Sequence, residues 1–253
     1  MRTSIIPANS VIAVTGVTYG LGKGIVTALV QRGAQVIGNG RRQELGIELE
    51  TELESAPGTF RYINGDMTRQ EDAEALINTA LNDYGRLDVL INNVGTVGDN
   101  PVRSLSEMNL EWWEMILATN LTSMFLGCQA AAKPLIASQG AIVNIGSHAG
   151  ENTGPELLAY RAAKAGAMHF SKSLAVSMLP HHVRVHTLTM HSVETPGGES
   201  VLQHRAESMT TEDEMIMREA RARITVLPID VGHGIAELLI DMTQTSGAGY
   251  TVG

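Results

Sequence analysis

The fold of this chain is decided by residues 10–24, which read Ser-Val-Ile-Ala-Val-Thr-Gly-Val-Thr-Tyr-Gly-Leu-Gly-Lys-Gly. Its first half is an apolar run of the kind that forms a buried parallel strand. Its second half places Gly16, Gly20 and Gly22 between that strand and a helical segment. Glycines at such a turn let a phosphate group approach backbone N–H groups at the helix N-terminus. The stretch therefore predicts a nucleotide-binding turn after the first strand of an α/β sheet.

Short apolar runs alternate with longer helical runs along the rest of the chain. We predict strands at 10–15, 34–39, 59–63, 87–92, 140–146, 182–189 and 250–252. Helices are predicted at 20–32, 43–55, 68–83, 110–137, 156–179 and 229–242. Thr68, with Glu71 three residues on, is predicted to cap the third helix. The alternation is typical of right-handed βαβ units, so we expect one Rossmann-like domain over residues 1–253, a doubly wound parallel sheet with helices on both faces.

Composition excludes several classes of protein. The chain has 253 residues, 43% hydrophobic and 18% charged, which excludes disorder as its main state. Its one cysteine, Cys128, excludes a disulfide framework and fits a reducing compartment. The net charge of −9 argues against a nucleic-acid footprint. With no run of 18 apolar residues and no signal-peptide pattern at the N-terminus, we expect a cytoplasmic protein without a membrane partner.

The end of the second predicted strand bears on the choice of nucleotide. A cofactor with a free ribose 2′-OH requires an acidic residue there. The sequence instead reads Asn39-Gly40-Arg41-Arg42. Because arginine binds phosphate through charge-assisted, bidentate hydrogen bonds, the pair favours NADP(H) over NAD(H).

A second group of polar residues is predicted near the same sheet edge. Tyr160 and Lys164 are four residues apart on a predicted helix and so share a face. Ser147 lies just past the fifth strand, at the carboxyl edge of the sheet, where ligands bind. A hydroxyl, a phenol and an ammonium in one place suit proton exchange with a carbonyl oxygen during hydride transfer, and we expect the ammonium and an oxidised nicotinamide to lower the pKa of Tyr160.

In these motifs the chain resembles the short-chain dehydrogenase/reductases over essentially its whole length. The matching residues are Thr15-Gly16-x-x-x-Gly20-x-Gly22, Asp66, Asn92-Asn93-Val94-Gly95, Asn120, Ser147 and Tyr160-x-x-x-Lys164. The resemblance implies a seven-stranded sheet and a homotetramer or homodimer that packs through the long helices.

The resemblance also implies a role for each matching residue. Tyr160 would be the general acid/base, Ser147 would position the carbonyl, and Lys164 would bind the nicotinamide ribose. Asn120 would hold a water in a proton relay. The implied cofactor-binding residues are Gly16, Thr18, Tyr19, Gly20, Leu21, Gly22, Gly40, Arg41, Arg42, Asp66, Met67, Asn93, Val94, Gly95, Tyr160, Lys164, Val193 and Thr195.

The chain departs from the family pattern after the sixth strand. His186 stands in place of the usual Asn, and Met190-His191 in place of Pro-Gly, in a turn that touches the nicotinamide in the family. We assign Met190, His191 and His148 to the substrate pocket, with a supporting role equally open for His148. The eight histidines lack the carboxylate spacing of a zinc motif, so no metal site is predicted.

A long segment at about 190–227 interrupts the alternation. Thr211 and Glu214 predict a capped short helix within it. Long segments in compact domains are commonly functional, so we interpret this one as a substrate lid, with an ordinary surface insertion as the alternative.

Three functions remain open at this point. The first is an NADPH-dependent oxidoreductase that transfers a hydride between the cofactor and a ketone, aldehyde or secondary alcohol. The others are an epimerase or dehydratase on the same frame, and a non-catalytic NADP-binding regulator. The sequence identifies neither the substrate nor the direction of the reaction in the cell.

Overall fold

The computed structural model of the chain describes residues 9–99, 103–190, 192–207, 209–222, 225–241 and 249–252. The strands are β1 Val11–Thr15, β2 Gln35–Gly40, β3 Thr59–Asn64, β4 Val89–Asn92, β5 Ala141–Ile145, β6 Arg184–Met190, β7 Ser192–Val193, β8 Thr225–Val226 and β9 Gly249–Val252. The α-helices are α1 Gly20–Gln31, α2 Gln43–Leu53, α3 Gln70–Tyr84, α4 Leu110–Leu117, α5 Ser123–Ser138, α6 Leu158–Met178, α7 Pro196–Ala206, α8 Thr211–Ala222 and α9 Pro228–Asp241. A π-helical turn, Ala118–Thr122, joins α4 to α5.

The large sheet is parallel, with the strand order β3-β2-β1-β4-β5-β6-β9. The order reverses between β1 and β4, so the connections run outward in both directions from this point. In an open α/β sheet of this kind, ligands bind at the carboxyl ends of the strands beside the reversal. The predicted Rossmann-like α/β fold, a parallel sheet flanked by helices, is confirmed.

Alternation along β1 divides the core into two layers. Ile12 and Val14 pack with α1 and α9 on one face of the sheet. Val11 and Ala13 pack with α3, α5 and α6 on the other. Because successive side chains of a strand point to opposite faces, a wholly apolar strand such as β1 must be covered on both sides. All five residues of β1 are buried.

The structure corrects the predicted cap of the third helix. Thr68 lies outside α3, which begins at Gln70 after Arg69. The Asp66 carboxylate accepts hydrogen bonds from the Thr68 backbone N–H at 3.0 Å and the Thr68 hydroxyl at 2.9 Å. This local Asx-type turn uses the hydroxyl and leaves nothing for the helix end.

The long segment after β6 forms two helices on a short two-stranded base. Strands β7 and β8 pair in parallel, and Glu194 N–H donates to the Val226 carbonyl at 3.0 Å. The helix predicted at Thr211 is present as α8, but its cap is Thr210, whose hydroxyl accepts from Asp213 N–H at 3.2 Å. Helix α7 was not predicted, because its sequence lacks an apolar stripe.

By length and composition alone, the described helical stretch Leu110–Ser138 would suffice to cross a membrane, with a mean hydropathy of 1.3 in its most apolar window. Such a test is also passed by core helices of water-soluble folds, and 39% of this window is buried in the domain. Leu110, Met115 and Phe125 stay exposed along it.

Candidate active site

The glycine turn after β1 is shaped so that no side chain could replace its central glycines. Gly16 and Gly20 have φ values of +71° and +57°, a region that side chains rarely adopt. A Cβ on Gly22 would lie 2.0 Å from the Gly16 carbonyl oxygen. Two asparagine side chains stabilise the turn by hydrogen bonds to its backbone. Asn93 Nδ2 donates to that carbonyl at 2.9 Å, and Asn39 Oδ1 accepts from Gly16 N–H at 3.3 Å.

The turn opens into a cleft of about 760 Å³ at the carboxyl edge of the sheet. All of the residues predicted to bind the cofactor line this cleft, and so do Ser147, His148 and Met190. Asn120 does not line it, and His191 lies outside the described residues. The volume falls within the range of small-molecule and cofactor sites.

One end of the cleft is formed by the residues that follow β2 and β3. The Arg42 guanidinium lies 4.8 Å from the centre of the Tyr19 ring. Arg41 Nη1 lies 3.8 Å from an Asp66 carboxylate oxygen; the Arg41 side chain is exposed and the Asp66 side chain is partly buried. At the end of β2 itself, Asn39 is buried and its side chain also donates to the Gly65 carbonyl at 3.4 Å. No carboxylate is therefore positioned at the end of β2.

The other end brings together Ser147, Tyr160 and Lys164. Ser147 begins the 3-10 turn His148–Gly150, and its hydroxyl accepts from Ala149 N–H at 3.2 Å. Tyr160 and Lys164 lie on α6, with the ammonium 5.8 Å from the centre of the phenol ring. Lys164 is only 3% exposed and donates to the Ile145 carbonyl at 3.0 Å. The predicted convergence of hydroxyl, phenol and ammonium is thus present in the fold.

The residues of the chain raise the pKa of Tyr160, whereas the expected lowering also includes the charge of an oxidised nicotinamide. Burial raises the pKa of the phenol, and its hydrogen bond with Ser147 offsets this only in part. An ammonium 5.8 Å from the ring centre does not reverse the effect of desolvation. Desolvation also lowers the pKa of Lys164 from 10.5 to about 8. The chain by itself therefore favours a neutral phenol.

Asn120 is placed by the π-helical turn between α4 and α5. It is completely buried, and its side-chain amide donates to the carbonyls of Thr96 at 2.8 Å and Ile116 at 2.9 Å. Its Oδ1 accepts from Thr96 N–H at 3.1 Å. A Cβ built on Gly95 would lie 3.0 Å from this oxygen and 3.4 Å from Lys164 Nζ. Asn120 and Lys164 therefore approach the same point of the backbone, and π-helical turns are frequent at functional sites.

The turn that departs from the family pattern is only partly described. His186, in place of the usual Asn, is fully buried on β6, and desolvation together with Arg184 lowers its pKa to about 4. Met190 is buried at the end of the same strand. His148 Nδ1 lies 2.8 Å from the Glu151 carboxylate. Within the described ranges, no group of three or more His, Cys, Asp or Glu side chains could hold a metal ion.

Sequence reasoning missed three arginines that also line the cleft: Arg161, Arg205 and Arg221. Arg161 donates to the carbonyls of Glu156 at 2.8 Å and Asn152 at 2.9 Å, and so holds the loop between β5 and α6. Arg205 and Arg221 reach the cleft only because α7 and α8 fold back over it. No motif marks them, although the Thr195-Pro196 pair, a capping residue before a proline, could have indicated that a helix begins there.

Comparison with known proteins agrees with this architecture. A sequence model described as "short chain dehydrogenase" matches residues 10–206. The chain is 32% identical to a cyclopentanol dehydrogenase of Comamonas sp., over 77% of each chain. It is 34% identical to a 3-oxoacyl-acyl-carrier-protein reductase of Vibrio cholerae, over 74% of this chain and 75% of that one. A solved dehydrogenase/reductase structure from Sinorhizobium meliloti matches with a TM-score of 0.85 at 25% identity, covering 98% of this chain and 95% of that one.

Fold and site together define a Rossmann-type dinucleotide-binding protein. The match over residues 10–206 goes further, and the chain belongs to the short-chain dehydrogenase/reductase family. It is accordingly an oxidoreductase of the class that uses a nicotinamide dinucleotide. The residues present fit such a cofactor, because the backbone at Gly16, Gly20 and Gly22 leaves an open cradle at the N-terminus of α1.

Proposed function

We propose that this protein is an NADPH-dependent carbonyl reductase, with Tyr160 as its general acid. The observation that carries the proposal is the convergence of Ser147, Tyr160 and Lys164 on one cleft with the glycine turn. The relatives named above include an alcohol dehydrogenase and a ketone reductase, which supports a ketone or aldehyde and the corresponding secondary alcohol as the reacting pair.

Each side chain has a distinct task in this scheme. When bound, the nicotinamide supplies the hydride for the carbonyl carbon. Ser147 donates a hydrogen bond to the carbonyl oxygen and holds it beside Tyr160, whose phenol gives its proton to that oxygen as the C–O double bond becomes an alkoxide. Since burial raises the pKa of Tyr160, the phenol is protonated at neutral pH and carries the proton that the reduction needs. The Lys164 ammonium and an oxidised nicotinamide would stabilise the phenolate that it leaves.

Lys164 holds the ribose of the cofactor and returns a proton to the Tyr160 phenolate. Its lowered pKa, about 8, lies close to neutral pH, so its ammonium is a stronger acid than that of an ordinary lysine. Asn120 lies next to Lys164 over Gly95, and both of its amide hydrogens are already donated to backbone carbonyls. A water that links this exchange to solvent would therefore bond the Asn120 Oδ1.

The test of this proposal is the substitution Tyr160→Phe, assayed with NADPH on a panel of ketones and aldehydes. Loss of the hydroxyl should reduce turnover by roughly 10²–10⁴-fold, the usual contribution of a positioned proton donor, while cofactor binding persists. Tyr84→Phe serves as a matched control, because the Tyr84 hydroxyl bonds Thr59 at 2.9 Å on the far side of the fold. Near-normal turnover by the Tyr160 variant would contradict the mechanism, and no net NADPH consumption would favour an epimerase or a regulator.

The preference for NADPH rests on Arg41 and Arg42 and on the missing carboxylate at the end of β2. Arg41→Gln and Arg42→Gln should each weaken NADPH binding by about ten- to a hundredfold and leave NADH binding nearly unchanged. Introducing an aspartate at Gly40 is a poorer test, because a Cβ there would lie 2.7 Å from a Thr18 methyl group. Arg86→Gln, remote from the cleft, is the control. An unaltered ratio of the two affinities would refute the assignment.

We also infer that the protein acts in the cytoplasm as a homotetramer or homodimer. The exposed apolar residues on the long helices support this, among them Leu110 at 68%, Phe125 at 43% and Val176 at 74% exposure. A second copy of the same helices would bury them. The solution mass measures the state directly.

A further inference from the structure

The cleft is far more positive than the chain that builds it. Among the described residues that line it, the cations are Arg41, Arg42, Arg161, Lys164, Arg205 and Arg221, whereas the only carboxylate is Asp66. The whole chain carries a net charge of −9. Arg41, Arg42 and Asp66 belong to the β2–β3 side, where the cofactor explanation accounts for them. The cofactor does not account for the arginines on the β5–β6 side.

Among these arginines, Arg221 is the one that most clearly lacks a compensating negative charge. Its guanidinium donates to two neutral oxygens, the Ser192 hydroxyl at 2.9 Å and the Gly198 carbonyl at 2.7 Å. The nearby acid, Glu199, already bonds Arg218 at 2.9 Å. A Cβ on Gly198 would lie 2.2 Å from Arg221 Nη2, so a side chain there would displace the guanidinium. The fold thus holds the Arg221 cation in a fixed place without an ion-pair partner among the described residues.

Its two neighbours differ in how their charge is balanced. Arg205 donates from Nε and Nη2 to one oxygen of the Glu156 carboxylate, Oε2, at 2.7 and 2.5 Å. Arg161 donates only to backbone carbonyls in the described part of the chain. Burial lowers the pKa of Arg221, the charge of Glu199 offsets this in part, and the charges of Arg205 and Arg218 lower the pKa further, so Arg205 and Arg221 lie close enough to repel each other. A half-buried guanidinium that lacks an ion pair and lies beside a second guanidinium is unfavourable unless an anion binds there.

We propose that the carbonyl substrate carries an anionic group, a carboxylate or a phosphate, and that Arg221 binds it at the β6 side of the cleft. The guanidinium offers the planar pair of donors that matches either anion. Arg205 adds a second positive charge, and Arg161 contributes to the field from the adjoining loop. This inference rests on the proposed function, since it places the anion on the same substrate that Tyr160 protonates.

The test compares short-chain oxo acids, and phosphate esters of hydroxyketones, with the neutral methyl esters of the same oxo acids. Binding to the protein saturated with NADP(H) is measured by calorimetry, and NADPH consumption is measured in parallel. The wild-type protein should bind at least one anion about ten- to a hundredfold more tightly than its neutral counterpart, the range expected for one charged hydrogen-bonding partner. Arg221→Gln should reduce that preference to near one, and Arg221→Lys should keep part of it.

Arg86→Gln is the control, because it neutralises an arginine that pairs with Asp88 and does not line the cleft. It should leave the preference for the anion unchanged. Equal binding of acid and ester by the wild-type protein would overturn the inference. So would an Arg221→Gln variant that binds NADPH more weakly but keeps the preference, since the anion would then be the cofactor. Because binding is read separately from turnover, tight binding of an anion without NADPH consumption would contradict the reductase alone.

Discussion

Lys164 is predicted to destabilise the fold that contains it. It is 3% exposed, and in place of an ion pair it has a hydrogen bond to the Ile145 carbonyl. Burial lowers its pKa from 10.5 to about 8. Replacing this lysine with methionine, which has a similar length and no charge, should therefore raise the stability of the cofactor-free protein while removing most of its activity.

The magnitude follows from the shift in pKa. A difference between 10.5 and about 8 corresponds to about 3 kcal/mol of unfavourable free energy while the lysine is charged in both states. Lys164→Met also leaves the Ile145 carbonyl without its donor, at a cost of about 1–2 kcal/mol. The net gain near pH 7 is about 1–2 kcal/mol, which for a domain of this size raises the Tm by roughly 2–8 °C.

The dependence on pH gives the sharper test. Between pH 8 and 10.5 the unfolded chain keeps the proton on this lysine and the folded chain does not, so the stability of the wild-type protein rises with pH relative to the variant. Thermal unfolding from pH 6 to 9.5 should show the advantage of Lys164→Met shrinking above pH 8. Lys172→Met, on the exposed side of the same helix, should show no such trend. A variant less stable than wild type at pH 7, or an advantage independent of pH, would refute the reasoning.

Two further predictions concern the glycine turn and the segment after β6. Gly22→Ala should unfold at a lower temperature and lose NADPH binding, because the new Cβ would lie 2.0 Å from a backbone oxygen. Gly234→Ala is the control, because a Cβ there would have no atom within 4 Å, and it should leave the stability unchanged or raise it by up to about 1 kcal/mol. NADPH with a substrate analogue should protect residues 190–223 from amide exchange more than α6, since α8 has no buried residue and only a two-residue strand pair closes its base. Full protection without ligand would identify the segment as a structural insertion.

The sequence was sufficient to predict those elements that are determined by residues close together in the chain. Strand β1 was predicted within a residue of its bounds, since a short, fully apolar run between turn residues is typical of a buried strand. The positions that line the cleft could be predicted because glycines and short motifs mark the carboxyl ends of parallel strands. Helix α7 could not, as its residues carry no apolar periodicity and are held by contacts such as Arg205 with Glu156.

Electrostatics was the least predictable part of the site. The expected lowering of the phenol pKa combines the Lys164 ammonium with an oxidised nicotinamide, whereas burial within the chain raises the pKa and depends on how α6 packs in the fold. The same holds for Arg221, whose importance depends on the pairing of the nearby Glu199 carboxylate with Arg218 in the folded protein. Neither quantity can be derived from residue types and spacing alone.

The distribution of charge connects the cofactor and substrate proposals. Of the 18 Lys and Arg residues, six line the cleft, whereas of the 27 Asp and Glu residues only one does so among the described positions. This contrast makes the electrostatic potential inside the cleft positive, and the low dielectric of the cleft walls strengthens that potential. The acidic residues on the rest of the surface repel anions. Lys164 shows the energetic consequence, because a site built to receive anions must hold cations that its own fold does not neutralise. The phosphates of NADPH and the proposed anionic substrate would supply that missing charge, so the predicted cost of holding these cations and the proposed selectivity for anions would have the same origin.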